Sequence, residues 1–115
     1  MTTARSVALD TIRAVSASDA YANLLLPRAI ARAGLSTGDA ALATELTYGT
    51  LRRQGTYDAI IALAADRPVA DIDPPVLDVL RLGVHQLLST RIASHAAVNE
   101  SVALAREVGG RAASG

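Results

Sequence analysis

An all-α domain is what this sequence predicts, on three observations. Apolar residues recur at spacings of three and four through most of the chain, and the segments between them carry helix caps and helix stops. No alternation of apolar and polar residues runs long enough to make a useful strand. About six helices account for the pattern, arranged as a helical bundle.

Thr2 or Thr3 can cap the first helix, which runs to about Val15 with Ala4, Ala8, Ile12 and Val15 on one stripe. Arg5 and Arg13 then face away from that stripe. A second helical region extends from about Asp19 to Ala33 and stops at Gly34, a residue suited to the left-handed turn after a helix. Pro27 interrupts it and biases Leu26 away from helical angles, which predicts a kink or a restart there. Ser36 with Asp39 three residues on is a capping-box-like start, with Asp in place of Glu. From there a helix runs to about Arg53, its cationic end suiting the negative pole of the helix dipole, and Gly55 ends it.

Gly49 lies inside that third helix, where glycine costs about 0.8–1 kcal/mol relative to alanine. Close approach of another helix is the gain that offsets this cost. Thr56 can cap a short helix over residues 57–65, and residues 66–73 form the one real loop. Asp73-Pro74-Pro75 is a strong helix start, since aspartate caps and proline is tolerated in the first turn. Leu77, Leu80, Val84, Leu87 and Leu88 make the apolar face of the helix that follows, with Asp78, Arg81, His85 and Gln86 off it. Ser94 can cap a last helix with Val98, Val102, Ala105 and Val108 inward, ending at Gly109-Gly110. Residues 1–110 read as one domain and 111–115 as a tail.

Composition narrows the chemistry. Of the 115 residues 50% are apolar, enough for an aliphatic core, but there is no Phe or Trp and only Tyr21, Tyr48 and Tyr57 are aromatic. A broad base-stacking platform is therefore excluded. Cysteine is absent, which removes disulfides, thiolate metal sites and cysteine nucleophiles. No apolar run approaches the roughly 18 residues of a membrane span, and the N-terminus lacks the charged region and apolar core of a secretion signal. A cytoplasmic protein with no membrane partner is the expectation.

Formal charge is zero, yet all the basic residues are arginines and they are unevenly spread. Residues 1–65 carry six arginines against five acids, 66–78 one against four, and 79–115 four against two, giving +1, −3 and +2. A general nucleic-acid coat is excluded, whereas a local arginine patch is not. Gly109-Gly110 follows no strand and matches no phosphate-loop spacing. His85 and His95 lack a second ligand at helical spacing, and the acids at 66, 71, 73 and 78 have prolines and no closing glutamate, so neither set makes a metal site. No serine or threonine has a base at recognisable spacing. No catalytic, cofactor-binding or metal-binding residue is expected in this chain.

Arg52-Arg53 is what remains. Both serve the helix end, and both also offer planar forks that match phosphate geometry, with Arg5, Arg13 and Arg91 available to the same patch. These five arginines are the candidates for a phosphate-facing surface.

Ala20-Tyr21-Ala22-Asn23-Leu24 with Leu26-Pro27, the run from Ala43 to Arg53, Asp73-Pro74-Pro75, Leu80-Arg81-Leu82-Gly83 and His95-Ala96-Ala97-Val98-Asn99-Glu100 occur in one order and spacing. In these motifs the chain resembles the N-terminal domain of the bacterial small-subunit (16S) ribosomal RNA cytosine-5 methyltransferases, the Sun or Fmu family. That domain is similar to the transcription antitermination factor NusB, and the resemblance spans nearly the whole chain.

It implies a NusB-like bundle that binds ribosomal RNA, joined to a C-terminal methyltransferase domain, and makes the five arginines the candidate RNA-binding residues. That second domain uses S-adenosylmethionine and a cysteine nucleophile, neither of which this chain can serve. A stand-alone antitermination factor and a helical protein-interaction module are the alternatives. In the family a further helix follows the 111–113 region, whereas this chain stops at Gly115; self-association into a homo-oligomer or reduced stability is the expectation, from the apolar face left uncovered.

Overall fold

In a computed structural model of the protein the structure describes residues 2–89. Five α-helices are present in that span: α1 (Ala4–Ser18), α2 (Ala22–Ala33), α3 (Thr37–Arg52), α4 (Gln54–Ala65) and α5 (Pro74–Ser89), with a 3-10 turn at Val69–Asp71. No strand occurs among the described residues. The helix expected from Ser94 and the tail lie outside the described residues. The chain divides after Arg52 into two compact units.

The first unit is α1, α2 and α3, each packed on the other two. Thr3 is the cap of α1, and the box is complete: Thr3 Oγ1 accepts from the Ser6 amide at 3.1 Å and Ser6 Oγ from the Thr3 amide at 2.8 Å. Two of the orphan donors of the first turn are thereby satisfied. Ala4, Ala8 and Ile12 are buried as expected, joined by Val7, Leu9 and Thr11. Ala4, Val7, Leu26 and Ala43 form a buried cluster on which Ala29, Ile30, Ala33, Leu35, Leu42 and Tyr48 pack. Ala4 and Ala43 place small side chains in this cluster, alongside the larger Val7 and Leu26.

Two expectations for α2 need correction. It starts at Ala22 and not near Asp19, because Asp19 adopts a left-handed conformation (φ 53°) and closes α1 by donating its amide to Val15 O at 3.1 Å. Nor does the helix restart at Pro27, which lies inside it. Pro27 stands in the second turn, so its missing N–H removes only the bond to the Asn23 carbonyl, on an exposed face. Gly34 (φ 65°) ends α2 as expected.

Ser36 caps α3 with an Oγ that accepts from the Asp39 amide at 3.1 Å. The Asp39 carboxylate makes no return bond among the described residues, so the box is half formed. Leu46, Thr47, Gly49 and Thr50 are buried along the helix. The Thr47 hydroxyl donates to Ala43 O at 2.8 Å, whereas Thr50 Oγ1 is buried with no partner among the described residues.

In the second unit α4 packs on α5 and on the 3-10 turn. Gly55 does not end the preceding helix and Thr56 does not cap the next one. Helix α4 begins at Gln54, after a single non-helical residue, Arg53 (φ −108°, ψ 18°), whose carbonyl accepts from the Tyr57 amide at 3.0 Å. Gly55 has no positive φ, and without the left-handed turn it is simply a first-turn residue of α4. Asp66, also left-handed (φ 55°), closes α4.

The face of α5 is the largest departure. Leu77 is buried and Val84 half-buried, but Leu80, Leu87 and Leu88 are exposed, and Asp78, Arg81, His85 and Gln86 are buried along with Val79 and Leu82. Polar residues occupy the inner face because each has a partner there.

Candidate nucleic-acid interface

The buried polar residues of the second unit pair mainly with one another. Arg81 grips Asp58 of α4 with both arms of its fork, Nε to Oδ1 at 2.7 Å and Nη2 to Oδ2 at 2.8 Å, while Nη1 donates to Asp78 Oδ1 at 3.0 Å. Donation to the Asp58 carboxylate raises the Arg81 pKa above its ordinary value, against burial, which lowers it. The Tyr57 hydroxyl and His85 Nδ1 stand 2.8 Å apart, with their rings tilted at 56°. Gln86 Nε2 donates to Leu82 O at 3.4 Å.

This constellation is a structural one. Both aspartates are committed to Arg81, and no group of three or more His, Cys, Asp or Glu among the described residues is placed to hold a metal ion. Removing either partner of such a pair leaves a buried charge exposed to its own desolvation cost.

Both signs of charge are open to solvent, Asp10, Asp19, Asp39 and Glu45 among the acids, and the arginines are the groups that suit phosphate. Arg52 is exposed as the last residue of α3, and Arg53, the next residue in the chain, is exposed as the residue before α4. Arg5 and Arg13 are half-buried on α1. They are eight residues apart, about 12 Å along the axis and some 80° round it, so they share neither a turn nor a stripe. Arg91 lies outside the described residues. Arg5 and Arg53 each have an interaction partner within the protein, whereas Arg13 and Arg52 have none among the described residues.

Arg28 and Arg32, which adjacency in sequence does not single out, are exposed on the outer face of α2 and also have no partner among the described residues. Their signal was present in the sequence as an i, i+4 arginine pair in a stretch, residues 20–38, that holds no acid.

No helix among the described residues is long and apolar enough to cross a membrane. The class is thus an all-α module whose buried charges are paired and whose candidate contacts are exposed arginines. The chain belongs to the NusB family, whose model matches residues 2–115.

A Mycobacterium tuberculosis protein named provisionally as a methyltransferase is 58% identical over 86% of this chain. A Synechocystis protein named "Probable ribosomal RNA small subunit methyltransferase B" is 36% identical over 95% of the chain. The Halorhodospira halophila protein named "Transcription antitermination protein NusB" is 34% identical over 73% of it. The chain spans 22%, 25% and 55% of the lengths of these three relatives. No solved structure matches the chain.

Proposed function

We propose that this chain is the RNA-binding domain of an S-adenosylmethionine-dependent 16S ribosomal RNA (cytosine-5) methyltransferase, in which it helps dock ribosomal RNA for a C-terminal catalytic domain. The observation that carries the reading is the NusB family match over residues 2–115 together with relatives, named as methyltransferases, roughly four times as long as the matched segment. The chain contributes no nucleophile and no cofactor loop. Its share of the reaction is to hold RNA near the catalytic domain and so raise the effective substrate concentration there.

Arg52 and Arg53 suit this role as consecutive exposed arginines, whose planar guanidinium groups match phosphate oxygens; Arg53 also has a partner within the protein. Titration of RNA with the chain at several salt concentrations tests the reading. Arg52→Ala with Arg53→Ala should weaken binding and flatten the plot of log affinity against log salt by about 0.7 for each phosphate no longer neutralised on a single strand. Unchanged affinity and slope would remove these two from the interface, and no RNA binding by the parent chain would remove the function. A reading frame that continues past codon 115 into a cysteine-bearing methyltransferase domain supports the enzyme context over a stand-alone antitermination factor.

A further inference from the structure

The outer face of α2 is set apart from the rest of the first unit by charge and by shape. Leu26, Ala29, Ile30 and Ala33 turn into the core, and at 100° per residue the opposite side of the helix carries Leu24, Pro27, Arg28, Ala31 and Arg32, all exposed. Arg28 and Arg32 lie one turn apart, about 6 Å along the axis, on the same stripe as Leu24.

Neither arginine is held by any group among the described residues, and residues 20–38 contain no Asp or Glu to neutralise them. Asp19, closing α1, is the nearest acid in the chain before this stretch. At the amino end of the stripe stands Tyr21, 71% exposed, with Leu24 57% exposed beside it. Tyr21 is the N-cap residue of α2, and its side chain makes no capping bond. The first turn of α2 holds no acid, so the positive pole of the helix is not neutralised at the Tyr21 end, while Arg32 stands in the last turn.

The geometry points to this face of α2 as a second RNA contact surface, in which Arg28 and Arg32 take successive phosphates of a single strand and Tyr21 stacks one unpaired base. The assignment rests on the RNA-binding reading of the chain and extends it to a surface separate in sequence from Arg52-Arg53. A stripe with two open cations, no acid and one open ring is complementary to a polyanion that carries π-faces at intervals. One tyrosine gives a stacking position and not a platform, so the surface reads strandedness and charge rather than sequence.

Fluorescein-labelled dodecauridylate, titrated with the 115-residue chain over a range of salt, is the test. Arg28→Ala with Arg32→Ala should lower the salt slope by about 1.4, two phosphates at about 0.7 each. Tyr21→Ala should weaken binding by about fivefold or more with its slope unchanged, the loss of one base stack. Alanine suits an exposed helix position, so circular dichroism should stay that of the parent.

An unaltered slope in the α2 double variant overturns the inference. If Arg52→Ala with Arg53→Ala still flattens the slope in that case, the RNA-binding reading stands and only the α2 surface falls. A parent chain that does not bind the oligonucleotide overturns both. Vesicles of 30% phosphatidylserine form the last arm: loss of vesicle binding in the α2 variant with RNA binding intact assigns the face to anionic lipid and overturns the inference.

Discussion

Asp58→Ala removes both bonds that the Asp58 carboxylate accepts from Arg81 and leaves the guanidinium with only the Asp78 contact at 3.0 Å. Breaking a fully buried pair from one side costs about 3–5 kcal/mol. Here the Asp58 side chain is 22% exposed against 10% for Arg81, so water can approach the vacated site and Asp78 still holds one arm. About 2–3 kcal/mol is the expected loss after that discount, or roughly 10 °C of melting temperature for a domain of this size. Because the pKa of Arg81 is raised above its ordinary value, the stability that its charge contributes is present throughout the neutral range and is lost only as pH rises through that raised value. The deficit of Asp58→Ala should therefore persist from pH 6 to pH 9 in circular-dichroism melts. Adding Arg81→Met should recover part of the loss, since removing both charges is far less costly than removing one. A shift below about 2 °C for Asp58→Ala, or a double variant less stable than the single, would refute the view that this pair organises α4 and α5.

Three further substitutions probe the first unit by thermal melting. Gly49→Leu places a large side chain at a buried position of α3 and should cost about 1–3 kcal/mol by overpacking; an unchanged melt would rule out close packing at that glycine. Thr50→Val deletes a buried hydroxyl that finds no acceptor or donor among the described residues while keeping the branched shape, and should stabilise the protein by up to about 1 kcal/mol; a clear loss would mean that the hydroxyl has a partner. Thr3→Ala removes the acceptor of the α1 capping box and should cost about 1 kcal/mol, measurable as a lower denaturant midpoint at constant m-value.

What the sequence made legible was whatever depends on neighbours within one helix. A threonine cap at 2 or 3, Ser36 with Asp39, and Gly34 are local signals, and each is found at its expected helix end, the cap at Thr3. The inner face of α5 was not legible, because apolar periodicity counts Asp78, Arg81 and His85 as outward-facing. Asp58 and Tyr57, the partners that allow Arg81 and His85 inside, lie 23 and 28 residues away along the chain. Asp78, though near Arg81 in sequence, is buried on the strength of the same network. The α3–α4 boundary failed for a different reason: glycine marks a stop only when it turns left-handed, and Gly55 does not. Of the candidate interface, Arg52 and Arg53 were legible as a pair, whereas Arg28 and Arg32 needed the core face of α2 to show which way they point.

The two left-handed aspartates set where this protein opens first. Asp19 and Asp66 each hold a positive φ that glycine adopts freely and other residues adopt at a cost, and each brings a carboxylate to the negative end of its helix. The opposite end of α1 is tied down by two reciprocal bonds. Amide hydrogens in the last turn of α1 should accordingly exchange with solvent well before those of Ser6 and Val7, which Thr3 holds, so that the helix unzips from its carboxyl end while the box at Thr3 still holds.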